Sequence, residues 1–386
     1  MNLAIIQNKV TQFDEPLYQK LFTSDEIDLM VYYTIPLKES QAIDHETGKR
    51  PSWRNEESTP YKSMTRQSGV LGGLKLLFKL LKGKYDLVII CSYNSGLFLL
   101  IAFTCFLLRI PIGLRSDNVM LYRGKTNWKW RIKDFIYPLF FKVFTTAHPT
   151  GSKAAEYFKA YGITDDQIFI FPYNVDNDEL KRSSRESLSK QTQIRAALKI
   201  NTTDRIVLGV LKFADREDPL TLLDGFELIS REFKNLHLIL VGDGPLREIL
   251  EEKIRTAGLG NVHFPGYIPY AELPYYYGIA DIFVHPVKVG SWEVSVNEAM
   301  ACGVPVIASD CVGSSYDLID TGKTGYVFEV GSPTSLAEKL RLVLECPDFK
   351  SVSTPYLNEK MMLWNYEQTT KNIYNALNHV KNITTK

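Results

Sequence analysis

Short apolar runs alternate with helical stretches along the first half of the chain. Five runs have the length and composition of buried parallel strands: 3–6, 29–33, 87–91, 112–114 and 168–171. Helical stretches lie between some of them, for example 96–108 and 129–144. Strand and helix that alternate over about 20–30 residues are typical of a doubly wound α/β sheet. The pattern therefore predicts such a sheet for this half.

The same alternation returns after residue 203. Predicted strands, separated by predicted helices, lie at 206–211, 236–241, 263–264, 282–285 and 305–308. The polar segment 176–203 is interpreted as a linker with one exposed helix, and the amphipathic tail 358–386 as a helix that crosses back to the N-terminal domain. The two domains then cover 1–175 and 204–357. With two such domains face to face, the cleft between them is the expected ligand site.

Charge and cysteine usage exclude several classes of protein. The chain has 45 Lys+Arg and 44 Asp+Glu, a balance that argues against a dedicated duplex-DNA binder, and no nucleic-acid partner is expected. Residues 1–175 hold 22 basic and 16 acidic residues, and the remainder holds 23 and 28. The first half is thus the one expected to meet an anionic surface. Five scattered cysteines without a CxxC pair are typical of reduced thiols in a cytoplasmic protein.

Two basic amphipathic stretches, 74–84 and 123–142, favour contact with an anionic membrane surface. The alternative, which the sequence leaves open, is a solvated helix face. The most apolar run, 96–108, is shorter than the roughly 20 residues that a membrane span needs, and it is predicted to be a buried helix. The predicted location is the cytoplasm, with peripheral contact to the inner face of the cell membrane as a hypothesis.

The stretch 285–310 holds a candidate anion site. A predicted strand ends at His285, a Gly-Ser loop follows, and a helix is predicted to start near Glu293. The first amide groups of a helix have no partner within it and lie at the positive end of its dipole, which suits a diphosphate. Glu298 lies one turn further on and could accept hydrogen bonds from two neighbouring hydroxyls, such as those of a ribose. The alternative is an ordinary helix charge without a ligand.

The block 297–310, NEAMACGVPVIASD, closely resembles family-4 (group 1) retaining glycosyltransferases of the GT-B fold, as do 241–246, 264–268, 280–286 and 322–326. Pieces of the N-terminal half resemble a bacterial polysaccharide-biosynthesis branch more loosely: 12–18, 93–95, 115–118 and 172–177. The resemblance implies two Rossmann-like domains that face each other across a cleft. It also implies retaining transfer of a sugar from a nucleotide-sugar donor to a glycan or lipid-linked acceptor, without a metal or another cofactor.

The resemblance also assigns candidate site residues. Those on the donor side are Lys212, Arg216, Gly242, Asp243, Tyr267, Ile268, Gly290, Ser291, Trp292, Val294, Ser295 and Glu298. Those on the acceptor side are Tyr93, Asn94, Arg115 and Asp117, and the catalytic candidates are Asp117, Glu293 and Glu298. Simpler interpretations stay open for some of them. Asp117 and Asn94 also suit helix or loop caps, Tyr267 a packed loop aromatic, and the Gly242–Gly244 segment a common turn.

Two features depart from the family pattern. Gly290 stands where the family has Glu, and Glu293 where it has Gly, so a carboxylate has moved along the loop or a donor contact has been lost. Glu217 replaces a Lys that would grip the diphosphate, and a unit-charge pair at 4 Å is worth about 4 kcal/mol at an effective dielectric near 20. Either Arg216 points inward, or donor binding is weak or absent. The alternative function is therefore a catalytically degenerate GT-B protein that serves as a binding or partner subunit of an active transferase.

Overall fold

The computed structural model describes residues 1–35, 59–120, 128–186 and 188–384. These residues form two compact units. Unit 1 consists of the described residues up to 174 together with 366–384, and unit 2 consists of those in 175–365. Part of the basic stretch 123–142 lies outside the described residues.

Unit 1 contains a parallel sheet of six strands in the order β3-β2-β1-β4-β5-β6. Its strands are β1 (Asn2–Gln7), β2 (Asp28–Tyr33), β3 (Ser63–Thr65), β4 (Leu87–Ile90), β5 (Ile112–Ser116) and β6 (Thr146–Pro149). Its helices are α1 (Glu15–Phe22), α2 (Gly69–Lys82), α3 (Gly96–Leu107), α4 (Trp128–Phe141), α5 (Ser152–Ala160) and α15 (Tyr366–Thr384). The predicted doubly wound sheet is confirmed.

The strand predicted at 168–171 is wrong. This segment runs beside β6 and donates two backbone hydrogen bonds to it, from Phe169 to Ala147 and from Phe171 to Pro149. Only an isolated bridge, between Ala147 and Ile168, is formed. Proline has no N–H to donate in return, so the ladder cannot continue past Pro149. The strands β3 and β6 have three and four residues, too few for their periodicity to predict them.

The helices of unit 1 cover its sheet from both faces. The connection from β1 to β2 crosses the sheet in one direction, whereas those from β3 to β6 cross it in the other. Because such connections are right-handed, α1 lies on one face and α2, α3 and α4 lie on the opposite face. The buried side chains agree with this: Leu17 of α1 packs in one core with Ile373 of α15, and Leu76 of α2 packs in another with Phe98 of α3.

Helix α3 is not the buried helix that its composition predicts. It packs Phe98, Ile101 and Cys105 against the sheet. Large apolar side chains on its other side are exposed, among them Phe103 at 57% and Leu107 at 63%. A helix that covers a sheet buries one side, so an all-apolar helix leaves its outer side exposed unless another layer covers it. None of the described helices is long and apolar enough to cross a membrane.

Unit 2 repeats this architecture with a parallel sheet in the order β12-β11-β10-β7-β8-β9. Its strands are β7 (Arg205–Val210), β8 (Leu236–Val241), β9 (Val262–Gly266), β10 (Ile282–His285), β11 (Val306–Ser309) and β12 (Gly325–Phe328). Its helices are α6 (Asn177–Glu186), α7 (Leu188–Ala197), α8 (Pro219–Ser230), α9 (Arg247–Ala257), α10 (Leu273–Ile279), α11 (Val294–Ala301), α12 (Ser315–Leu318), α13 (Pro333–Leu344) and α14 (Phe349–Leu363). The chain reverses its winding between β7 and β10, which are neighbours in the sheet, and ligands bind at such switch points.

The segment 176–203 forms two helices, α6 and α7, where the sequence predicts one. Both pack against α10, and α6 also packs against α11. The side chain of Asn177 accepts a hydrogen bond from Asn297 and donates to the carbonyls of Met361 and Trp364. These contacts attach the segment to unit 2. The tail likewise forms two helices, of which α14 lies in unit 2 and α15 in unit 1.

A buried ion pair joins distant segments of unit 1. Arg115, at the end of β5, lies 2.7 Å from the carboxylate of Asp14, and both side chains are 3% exposed. The guanidinium also donates to the carbonyls of Phe171 and Pro172 and stacks on the ring of Phe171. Arg115 thus holds the end of β5 to Asp14 and to the segment 171–172.

Removal of the Asp14 carboxylate should therefore leave the buried positive charge of Arg115 without a partner. We expect Asp14→Ala to lower the free energy of unfolding by about 3–5 kcal/mol, and the double variant Asp14→Ala/Arg115→Met to recover much of that loss. The control is Lys62→Ala, which breaks the exposed pair with Asp28 and should cost less than about 1 kcal/mol. Urea denaturation measures all three, and equal losses for Asp14→Ala and Lys62→Ala would contradict the assignment.

Candidate functional site

The loops that follow β7 and β10 meet at the switch point of unit 2. The backbone amide of Lys288 donates to the carbonyl of Arg216 at 2.9 Å, and the Arg216 guanidinium donates to the carbonyl of Val289 at 2.8 Å. The ammonium of Lys288 also lies 2.9 Å from Asp215. These contacts hold the turn 215–217 against the loop that leads into α11.

That loop delivers the N-terminus of α11 to the same place. Helix α11 begins at Val294, and Glu293 is its N-cap residue. The amide of Gly313 donates to the carbonyl of Gly290 and so holds the loop in place. A Cβ at position 313 would lie 1.8 Å from the carbonyl oxygen of Ser291, so only glycine allows this approach. The first-turn amides of α11 therefore lie beside the turn 215–217, where they can bind an anion.

Arg216 joins two carboxylates in this site. Its guanidinium pairs with Glu217, which is buried, and lies 3.4 Å from Glu293. The other oxygen of Glu293 lies 3.3 Å from Nε2 of His285, a buried residue whose Nδ1 is 3.4 Å from Ser295 Oγ. Glu217 therefore faces Arg216 and does not stand alone. Arg216 in turn is not an unpaired cation, because two carboxylates balance its charge.

The pKa values of Glu217 and Glu293 are shifted in opposite directions. Burial raises the pKa of Glu217, Glu293 raises it further, and the charges of His285 and Arg216 offset this only in part. Burial also raises the pKa of Glu293, but the hydrogen bond and charge of His285, together with Arg216, outweigh burial and leave the pKa below its usual value. Its lowered pKa keeps Glu293 ionised near neutral pH.

Gly290 and Glu293 form a matched pair. A Cβ at position 290 would lie 2.5 Å from Oε1 of Glu293, so the Glu293 carboxylate occupies the space that a side chain at 290 would need. Glu293 also adopts a left-handed backbone conformation, with φ +53°, which favours glycine. A side chain at position 290 and the Glu293 carboxylate would therefore compete for the same space, and a relocated family carboxylate stays a prediction.

Glu298 lies one turn into α11 and is buried, so it is not a surface charge. The hydroxyl of Tyr277, on α10, donates to one of its oxygens at 2.9 Å. Burial raises the pKa of Glu298 to about 7, although Tyr277 and the charge of His285 both act to lower it. This carboxyl group therefore titrates near neutral pH, well above the range of an ordinary glutamate.

A glycine turn packs beside the loop after β7. Gly242 and Gly244 have φ of +144° and +156°, and a Cβ at Gly242 would lie 1.9 Å from the carbonyl oxygen of Leu211. The carbonyl of Asp243 accepts from the amide of Phe213. The turn thus has a structural reason for its glycines, and it sets the path of the backbone that carries Lys212, which is half-buried.

Trp292 is one of the predicted donor contacts, and its side chain lies inside the protein. Its side chain is 1% exposed and packs against Trp364, with 4.8 Å between the ring centroids. It therefore anchors the loop and cannot present its ring to a ligand. Tyr267 is 53% exposed and Ile268 is half-buried, and both follow β9. Ser291, Val294 and Ser295 are half-buried in the loop and the first turn of α11.

The acceptor-side residues lie in unit 1, after β4 and β5. The side-chain amide of Asn118 donates to the Tyr93 hydroxyl at 2.8 Å and to Ser116 at 2.7 Å. Asn94 is exposed and Asp117 is half-buried. Arg115 is buried and donates to Asp14 and to two carbonyls, so its contacts in this structure are structural, and its acceptor role stays a prediction.

Sequence reasoning assigned no role to His285 and Tyr277. His285 is the last residue of β10 at the switch point, and that position is the signal that could have identified it. Tyr277 offers no such signal, because its contact with Glu298 depends on how α10 packs against α11.

One group in the described part of the chain has the residue types of a metal site. Glu217, His285 and Glu293 place ligand atoms within 4.8 Å of one another. The Arg216 guanidinium already binds both carboxylates, so a divalent cation would have to displace it. The expectation that the protein needs no metal stays a prediction.

Comparison with known proteins finds a family match within unit 2 and several related sequences. Residues 190–356 match the family model of the group 1 glycosyl transferases. Alpha-monoglucosyldiacylglycerol synthase of Acholeplasma laidlawii is 25% identical over 166 residues, which are 42% of this chain and 41% of that protein. O-antigen chain mannosyltransferase B of Escherichia coli is 24% identical over 228 residues, which are 58% and 57% of the two chains. The chain thus spans about half the length of these relatives.

Solved structures match almost the whole chain. Anabaena Alr3699/HepE, solved in complex with UDP, is 17% identical with a TM-score of 0.73, and the match covers 98% of this chain and 100% of that one. A glycosyltransferase from Rickettsia africae is 14% identical with a TM-score of 0.74, and the match covers 98% of both. The fold is GT-B. At these identities the likeness shows the architecture of two Rossmann-like domains, and the site residues have to be argued from this chain.

The close approach of Gly290 and Glu293 can be tested by mutation. Gly290→Ala should force the Glu293 carboxylate away from His285 and Arg216 and lower the free energy of unfolding by about 1–3 kcal/mol. In a Glu293→Gly background the space is vacant, and the same change should be nearly neutral. The double-mutant cycle is measured by urea denaturation.

Gly260→Ala is the matched control, because a Cβ there would meet no atom within 4 Å. Equal effects of Gly290→Ala in the two backgrounds would contradict the coupling.

Proposed function

We propose that this protein is a retaining glycosyltransferase that takes a sugar from a nucleotide-sugar donor. One observation carries the proposal: the N-terminus of α11 and the buried Glu298 lie together at the switch point of a GT-B domain, within the stretch that matches the group 1 glycosyl transferases. An anion site next to a buried carboxylate suits the diphosphate and ribose of one nucleotide.

The donor diphosphate binds at the first-turn amides of α11, with Lys212 as the nearby cation. Arg216 already balances Glu217 and Glu293, so its main role is to hold the two loops together and to moderate the charge of those carboxylates. Amides and a cation aimed at the departing diphosphate stabilise the charge that develops on it, which is electrostatic catalysis without a metal.

The sugar and the ribose bind to carboxylates. Glu293, which stays ionised, accepts hydrogen bonds from donor-sugar hydroxyls and replaces the Glu that the family carries at position 290. Glu298 accepts from the ribose hydroxyls through the oxygen that faces away from Tyr277. On the acceptor side, Asp117 orients the attacking hydroxyl, with Tyr93 and Asn94 nearby.

The acceptor is proposed to be a glycan or a lipid-linked sugar in the assembly of bacterial surface polysaccharide or glycoconjugates. Two similar proteins support this class: one is named as a glucosyldiacylglycerol synthase and the other as an O-antigen chain mannosyltransferase. The proposed location is the cytoplasm, where nucleotide sugars are made.

The pKa of Glu298 gives a sharp test. A ribose that donates to Glu298 favours the ionised carboxylate, so binding of UDP or GDP should release a fraction of a proton at pH 7. Affinity should rise as the pH increases through about 7 and level off above it. Titration calorimetry in buffers of different ionisation enthalpy measures both quantities, and hydrolysis of the matching nucleotide sugars can be followed in the same samples.

Two variants complete this test. Glu298→Gln should bind at least about tenfold more weakly and release no proton, whereas Glu248→Gln, which changes an exposed carboxylate on α9, should behave as the wild type. EDTA should change none of these affinities. A well-folded protein that binds neither nucleotide would contradict the proposal and favour the partner-subunit function.

A further inference from the structure

The outer face of α2, α3 and α4 in unit 1 is strongly apolar. These helices cover one face of the sheet, and their inner sides are buried in its core. Their outer sides, with the C-cap of α3, carry 14 of the 26 exposed large apolar side chains described, so exposed apolar area is concentrated there. The 14 are Val70, Leu71, Leu74, Phe78, Leu99, Leu100, Phe103, Phe106, Leu107, Leu108, Ile132, Phe135, Ile136 and Leu139.

The rim of this face is basic. On α2, the exposed apolar row Val70–Leu74–Phe78 lies beside Lys75 and Lys79, because residues four apart share one side of a helix. Lys82 extends the basic row, and its ammonium lies 4.5 Å from the centre of the Phe78 ring. Among the described residues, the contacts of these three ammonium groups are with the Gln67 side-chain oxygen and the Phe78 ring, and none is with a carboxylate. The lysines can therefore reach outward to an anionic surface.

Acidic residues are almost missing from the three helices. Asp134 is the one acidic residue in their sequences, and it is half-buried and accepts a hydrogen bond from Tyr161. Arg131, on the same helix, is exposed. The face thus combines a wide apolar surface with positive charge and with little negative charge to offset it.

We propose that the outer face of α2–α4 docks this protein on an anionic lipid bilayer. Apolar side chains of surface helices enter the boundary between headgroups and acyl chains, and lysines at the edge reach the lipid phosphates. A second copy of the chain fits less well. Two identical faces in a symmetric dimer would bring lysine rows together without carboxylates to pair them.

The docking surface does not depend on the proposed transferase activity. It rests on residues of α2–α4, none of which belongs to the candidate site. A glycosyltransferase docked in this way would act where lipid-linked acceptors lie, but a partner subunit would dock by the same face.

The test is co-sedimentation of the full chain with two kinds of vesicle: phosphatidylcholine alone, and phosphatidylcholine mixed with phosphatidylglycerol. The wild type should sediment with the mixed vesicles and at least about tenfold less with the neutral ones, and raised salt should weaken the difference. Equal sedimentation with both would overturn the electrostatic part of the proposal, and absence of binding to either would overturn the whole.

Two variants separate the apolar and basic contributions. Phe103→Gln/Leu107→Gln/Phe135→Gln and Lys75→Gln/Lys79→Gln/Lys82→Gln should each weaken binding to the mixed vesicles about tenfold or more. The matched control is Leu228→Gln/Ile249→Gln/Leu342→Gln, which changes exposed apolar side chains of unit 2 and should bind as the wild type. All three should keep the wild-type circular dichroism and thermal midpoint, because the changed residues are exposed.

The oligomeric state tests whether a second copy of the chain, and not a bilayer, covers this face. Sedimentation velocity without lipid should show the same mass for the wild type and for the apolar variant. A wild-type dimer that the apolar variant abolishes, together with unchanged vesicle binding, would overturn the proposal and assign the face to a second copy of the chain.

Discussion

The guanidinium of Arg216, held between Glu217 and Glu293, is the contact on which the candidate site depends. It joins the loop after β7 to the loop after β10, two strands that are neighbours in the sheet although 71 residues separate the end of one from the start of the other. With that contact made, the N-terminus of α11 lies beside the turn 215–217, and Arg216 offsets the repulsion between the two carboxylates. A buried acid where a cation would be expected is therefore compatible with binding an anion nearby.

Burial of the residues around α11 makes this arrangement rigid. Trp292 packs against Trp364 below the loop, and Tyr277 holds Glu298 from the side of α10. A carboxyl group in such surroundings is costly to ionise, and the raised pKa of Glu298 expresses that cost. Hydroxyl groups of a bound ribose would offset it, since they replace the hydrogen bonds that water no longer supplies. The same burial that disfavours the free carboxylate thus favours a ligand with paired hydroxyls.

Much of the fold could be predicted from the sequence, because buried parallel strands and the helices between them leave a strong periodic signal. The switch-point loops could be placed for the same reason, and with them Gly290, Glu293 and Glu298. What the sequence did not show depends on packing between distant segments. Trp292 packs against Trp364, which is 72 positions away, and Arg115 pairs with Asp14, which is 101 positions away. The exposure of α3 was missed because composition reports that a helix is apolar, not how many layers cover it.

The proposed donor site is tested most directly by hydrogen–deuterium exchange of the intact protein with and without UDP or GDP. The nucleotide that binds should slow exchange at the amides of residues 290–298 and 211–217. Exchange at the outer face of α2–α4, which lies outside the candidate site, should not change. Protection confined to unit 1, or protection that leaves the first turn of α11 unchanged, would contradict the claim that this helix N-terminus and Glu298 form the donor site.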